Sequence, residues 1–163
     1  MKDKVIKYLM NNQKYMKIAL DLAKKAETNR DIPVGAIVVD KNGNILGKGY
    51  NKKEKDQDSI KHAEIIAISN ACKKNGSWRL EDCTIYSTLE PCLMCLGAIL
   101  ESRISLIVFG LVSEKFGCIN LLDKLKNNKD FNHSINYSYD LTLFSREMLQ
   151  SFFNKLRNQN DII

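Results

Sequence analysis

The chain has 163 residues, 44% of them hydrophobic, and carries 25 Lys and Arg against 19 Asp and Glu, a formal net charge of +6. That is enough chain for a full core in a single domain over 1–163, and its apolar runs stop well short of the roughly 18 residues that a membrane span requires. Five cysteines, an odd number, argue against a disulfide framework, and the first residues hold no sustained apolar segment, so a cytoplasmic protein is expected. The sequence pI near 9.0 is compatible with an anionic partner such as RNA, although the lysines are scattered and not gathered into one tract.

In chain order, Tyr15, Ile18, Ala19, Leu22, Ala23 and Ala26 recur at helical spacing and predict an amphipathic first helix lying over a sheet. Gly35–Val39 and Asn44–Tyr50 flank the turn-forming Asp40-Lys41-Asn42-Gly43, which predicts a β-hairpin. A polar stretch from Asn51 to Lys61 reads as a solvated loop. It leads into a helix opened by His62, with Ala63, Ile66, Ala67 and Ala71 at helical spacing. A strand near Cys83–Thr88, a helix from Cys92 to about Leu100 and a strand Ser105–Phe109 follow in βαβ order, which makes the two strands parallel neighbours and gathers ligands at one end of the sheet. The remainder predicts a short helix near Leu121–Lys126, a weaker strand near Ser134–Tyr139 and a last helix from about Leu141 to Arg157.

Two motifs carry chemistry: His62-Ala63-Glu64 and Pro91-Cys92-Leu93-Met94-Cys95. One imidazole and two thiolates supply the three firm ligands that a hydrolytic zinc site needs while leaving one position open. Cys92 and Cys95 stand at i and i+3 after a proline, so both sulfurs can face one ion from the first turn of a helix, where the positive dipole end favours thiolate. Glu64 is then free to move protons as a general acid and base. A C-x-x-C alone also suits a redox pair or half of a structural zinc knot. A structural site would need a fourth ligand, and Cys72, Cys83, Cys118 and His133 are the remaining cysteines and histidine. The strand after Cys83, at about 3.3 Å per residue, carries that thiol away from Cys92. The two motifs together favour catalytic zinc.

The pairing of H-x-E with P-C-x-x-C resembles the signature of zinc-dependent nucleobase deaminases. From roughly Met16 to Leu156 the chain resembles the cytidine and deoxycytidylate deaminase superfamily, and within it the bacterial tRNA-specific adenosine deaminases. The matching stretches include Ile32-Pro33-Val34-Gly35-Ala36, Gly49-Tyr50-Asn51, Thr88-Leu89-Glu90-Pro91-Cys92, Ser102-Arg103-Ile104, Val108-Phe109-Gly110, Asn132-His133 and Phe152-Phe153. The resemblance implies an α/β fold, a three-layer α/β/α sandwich of the cytidine deaminase type around a central five-stranded mixed sheet. It further implies a homodimer, one zinc per chain, and conversion of adenosine to inosine at the wobble position within a tRNA anticodon stem-loop.

Carried across by position, His62, Cys92 and Cys95 hold zinc and Glu64 shuttles the proton. Asn51 contacts the target nucleotide, the main chain at Ala63 and around Pro91 meets the base edge, and Val34 and Phe152 form walls of the base pocket. On the residues alone, Asn51 reads as a turn residue ending a strand, Phe152 and Phe153 as core packing, and Glu90 as shaping the turn before Pro91. The chain departs from the tRNA enzymes at Ser113, where they usually carry aspartate, and in a stretch Lys115–Cys118 that is one residue shorter than expected. Two alternatives remain: a guanine or cytosine deaminase acting on free small molecules, and a noncatalytic RNA- or zinc-binding module. Guanine deaminases tend to have phenylalanine in place of Val34, and a binding module has no use for Glu64.

Overall fold

Central strands buried on both faces, with helices packed against each side, build three layers. The computed structural model of the chain describes residues 2–126, 135–139 and 143–160. The elements are α1 (Lys2–Thr28), β1 (Gly35–Val39), β2 (Ile45–Tyr50), a short α2 (Lys53–Asp56), α3 (Ala63–Asn75), β3 (Thr84–Ser87), α4 (Leu93–Glu101), β4 (Leu106–Phe109), α5 (Ile119–Lys126), β5 (Asn136–Tyr139) and α6 (Leu143–Asn160). The sheet order is β2-β1-β3-β4-β5, with β1 antiparallel to both β2 and β3, and β3, β4 and β5 parallel. The expected five-stranded mixed sheet and the parallel β3–β4 pair are both present. Ser134, Leu141, Asn132 and His133 lie outside the described residues.

The period of two along each strand sorts the core into two faces. Ala36, Val38, Ile85, Ile107 and Phe109 point to one side, where they pack with Ala63, Ala67 and Ala71 of α3, Leu96 and Ile99 of α4, and Ile119 and Leu122 of α5. Ile37, Val39, Tyr86 and Val108 point to the other, against Tyr15, Met16, Ala19, Leu20 and Leu22 of α1, with Met148 of α6 beside them. Each fully buried Ile or Phe here stabilises the fold by about 1.5–3 kcal/mol relative to exposure.

Close approach of α3 to the sheet depends on two glycines. A Cβ at Gly47 would overlap Ala67 O, and one at Gly49 would overlap Ala63 O, so the helix backbone rests directly on β2. The small side chains of Ala63, Ala67 and Ala71, spaced four apart, complete that contact. The consequence is a fixed position for the start of α3, and with it for His62 and Glu64.

The stretch expected as a loop between Asn51 and Lys61 contains α2, four residues long. Its amides are capped from a distance. The buried Asp31 carboxylate accepts from Glu54 N–H at 2.8 Å and Lys55 N–H at 3.1 Å.

Candidate active site

His62 is the N-cap of α3 and Cys92 the N-cap of α4, both in extended conformation, so two helix starts converge beside the C-terminal end of β3. Cys95 follows in the first turn of α4 and is fully buried. Cys92 Sγ lies 3.6 Å from His62 Nδ1, Cys95 Sγ lies 3.6 Å from the same nitrogen, and the sulfurs are 3.7 Å apart. A tetrahedral zinc with Zn–S of about 2.3 Å and Zn–N of about 2.05 Å would set its sulfurs about 3.8 Å apart and each about 3.6 Å from the nitrogen. The three donor atoms therefore already hold one face of a zinc tetrahedron. Among the described residues, Cys72, Cys83 and Cys118 stay outside this group. His133 lies outside the described residues.

The two sulfurs are hydrogen-bonded to each other; that bond, with the one to His62, pulls the Cys92 pKa down to about 3, while Cys95 is held far above the usual thiol range by the same bond and by burial. The hydrogen bond to Cys92 in turn raises His62 above its ordinary value against the opposing effect of burial. A dication held by His62, Cys92 and Cys95 would displace the thiol protons, because thiolates and neutral imidazole are its ligands.

Glu64, in the first turn of α3, is 4% exposed. Ser87 Oγ at the end of β3 donates to Glu64 Oε1 at 3.0 Å, and Cys95 Sγ lies 3.5 Å from Oε2. Burial raises the Glu64 pKa above the ordinary carboxylate value, ahead of the lowering effect of His62 and Ser87. Such a group holds and releases a proton nearer neutral pH, which a proton shuttle requires. The sequence reading missed Ser87. Its only signal is the alternation that puts it on the same face as Ile85.

Asn51 is buried, and its Oδ1 accepts from Ala63 N–H at 2.9 Å, capping α3 in place of the His62 side chain. This bond assigns the amide: the oxygen faces Ala63 and the NH2 remains a donor. It also commits the Ala63 N–H. The Asn51 N–H donates to Val34 O at 3.1 Å, and Val34 is buried against the α3 side of the sheet. Pro91 is buried beside Cys92, and its carbonyl accepts from Cys118 N–H at 3.3 Å. Phe152 is buried on α6, 5% exposed, with its ring edge-on to the exposed Phe153. Glu90 does more than shape a turn. Its buried carboxylate accepts from Ser113 N–H and Ile119 N–H across the loop after β4.

A three-layer α/β/α fold with His and two Cys at converging helix starts and a buried carboxylate beside them is the arrangement of a zinc-dependent hydrolytic deaminase. The chain belongs to the cytidine and deoxycytidylate deaminase family, whose zinc-binding region matches residues 9–111. It is 43% identical over 152 residues to the tRNA-specific adenosine deaminase of Bacillus subtilis (strain 168), covering 93% of this chain and 94% of the relative. A solved structure from "Biochemical and Structural Studies of A-to-I Editing by tRNA:A34 Deaminases at the Wobble Position of Transfer RNA" superposes with a TM-score of 0.77 at 30% identity, over 84% of this chain and 99% of that one. The guanine deaminase of Bacillus subtilis superposes with a TM-score of 0.60 at 30% identity, over 90% and 93%. The His–Cys–Cys cluster fits one zinc per chain.

Proposed function

We propose that this chain hydrolyses adenosine to inosine at the wobble position of a tRNA, releasing ammonia, as one zinc-dependent deaminase domain over 1–163. The observation that carries the reading is the buried Glu64 carboxylate set 3.5 Å from Cys95 Sγ, beside the open corner of a zinc-shaped donor set. The choice of tRNA adenosine rests on the relative's name and its near end-to-end match. In this reading His62, Cys92 and Cys95 hold the metal. When bound, zinc lowers the pKa of a coordinated water from about 15.7 toward about 7.

The chain's own residues do the rest. Glu64 takes one proton of the attacking water and hands it to the ring nitrogen beside the attacked carbon, then takes the second proton from the new hydroxyl and gives it to the amine, which departs as ammonia as the C=O forms. Ser87 holds Oε1, which leaves Oε2, beside Cys95 Sγ, to carry the transferred proton. Asn51 offers its NH2 to the target nucleotide, with Val34, Ala63, Pro91 and Phe152 as surroundings of the base. An unpaired base in an anticodon loop avoids most of the few kcal/mol that extrusion from a duplex costs. The net charge of +6 suits a phosphate backbone. A homodimer and a cytoplasmic setting complete the proposal, the exposed Leu93 at the start of α4 supplying apolar surface for a second copy. No helix among the described residues is long and apolar enough to cross a membrane.

A second reading, deamination of free guanine, is favoured by the guanine deaminase superposition. The zinc-loaded protein incubated separately with an adenosine-containing anticodon stem-loop, cytidine, cytosine and guanine decides between them by ammonia release. Turnover of the stem-loop is expected. Efficient turnover of guanine or cytosine with the stem-loop untouched would replace the proposal.

A further inference from the structure

Glu90 stands next to Pro91 and two residues before Cys92, yet its carboxylate turns away from the donor set and into the loop after β4. Oε2 accepts from Ser113 N–H at 2.9 Å and Oε1 from Ile119 N–H at 3.0 Å. The Glu90 N–H donates to Leu111 O at 2.8 Å, and the neighbouring Pro91 O accepts from Cys118 N–H. Inside the loop, Gly117 N–H closes onto Ser113 O at 2.9 Å, and a Cβ at Gly117 would overlap the Glu90 carboxyl group. Hence both ends of the loop and its tight turn are moulded around one buried carboxylate, while Val112 and Phe116 remain exposed, Phe116 at 72%.

Burying a carboxylate is costly unless strong hydrogen bonds satisfy it, and bonds from main-chain N–H to a charged acceptor are of that kind. The two bonds span 23 and 29 residues and end on either side of a turn that contributes no atom to the donor set. What they secure is the conformation of the turn relative to Pro91 and Cys92. A surface held in its bound shape loses less conformational entropy when a ligand arrives.

We propose that Glu90 is a positioning residue for substrate binding: by gripping residues 113 and 119 it presents the 111–119 loop as a preformed wall beside the metal helix, against the nucleotides flanking the target base. The inference rests on the RNA-substrate reading above. Gly117 is its counterpart, the one loop residue small enough to lie on the carboxyl group.

The test uses the zinc-loaded full chain and an anticodon stem-loop, with Glu90→Gln, Gly117→Ala and the double variant. Glu90→Gln keeps the shape but replaces one acceptor oxygen with a donor that faces another N–H. Each single variant is expected to retain zinc, keep kcat within about threefold, raise KM about tenfold and speed amide exchange at residues 113 and 119, since a loss of ground-state binding appears in KM. The double variant should be no worse than the poorer single one, because both act through one contact. An unchanged KM in variants whose loop exchange has quickened overturns the proposal. So does a kcat that falls together with thermal stability at constant KM, which marks a purely structural tether. A wild-type protein inert on the stem-loop overturns both this proposal and the function it rests on, whereas active wild type with insensitive KM removes this one alone.

Discussion

Replacing Glu64 with glutamine removes the proton carrier and leaves the shape of the site. Glutamine Oε1 can still accept the Ser87 hydroxyl, bonded at 3.0 Å in the native chain, and the amide NH2 in place of Oε2 can donate to the Cys95 sulfur 3.5 Å away. Zinc retention and folding are therefore preserved. Stability moves in a definable direction. Burial lifts the folded pKa of Glu64 above its unfolded 4.5, so the folded state binds the proton more tightly and the native site loses stability as pH rises from 4.5 through the folded value. The neutral amide escapes that loss, and the metal-free Gln variant should be at least as stable as the native chain at pH 7. Catalysis moves the opposite way: a general acid–base group contributes about 10²–10⁴ in rate, or roughly 2.7–5.5 kcal/mol of barrier. Single-turnover deamination of the stem-loop by zinc-replete protein, with metal content and thermal unfolding measured on the same samples, reads all three. Near-native turnover by the zinc-replete variant would falsify the shuttle role of Glu64.

Other expectations follow from packing and titration. Gly49→Ala sets a methyl against Ala63 O and Ala67 N, and overpacking of this kind costs about 1–3 kcal/mol; thermal unfolding should register it and zinc retention should weaken, because α3 carries His62 and Glu64. An unaltered melting temperature would show that α3 is not seated on the glycines. Asn51→Ala removes the cap on Ala63 N–H, for about 1 kcal/mol of stability, and should also raise KM for the stem-loop; a stability loss without change in KM would confine Asn51 to capping. In chelator-treated protein at pH 6, Cys92 should be alkylated ahead of Cys72, Cys83 and Cys118, since it alone is lowered, and zinc should protect it. Cys83, pushed by burial to about 11 against an ordinary 9.0, favours the folded state below pH 9 and withdraws that stability as pH rises toward 11, so Cys83→Ala should flatten the alkaline loss in a pH series of denaturation midpoints.

The donor set was legible in the sequence because its parts are local. Cys92 and Cys95 share one helical turn and His62 and Glu64 open another, so short motifs encode most of the geometry and only their meeting is tertiary. The turn-forming Asp40–Gly43 likewise located the β1–β2 hairpin, and the βαβ order predicted the parallel β3–β4 pair. What was not legible depends on contacts with no periodicity. Helix α2 is four residues long and takes its cap from Asp31, more than twenty residues back, so a composition of lysines and acids read as open loop. Ser87 reaches Glu64 across 23 residues, and Glu90 reaches Ser113 and Ile119 across 23 and 29. Side chains that satisfy distant main-chain N–H groups leave no pattern in their own neighbourhood.

Zinc-dependent deamination of one tRNA adenosine is measured most directly by sequencing an anticodon stem-loop for inosine after incubation with the zinc-loaded chain, alongside a zinc-free Cys92→Ser variant. Inosine at the first anticodon position alone, formed by the native protein and absent with the variant, is the predicted result. Inosine spread over other adenosines, equal conversion by the zinc-free variant, or no inosine from protein that turns over free guanine would contradict it.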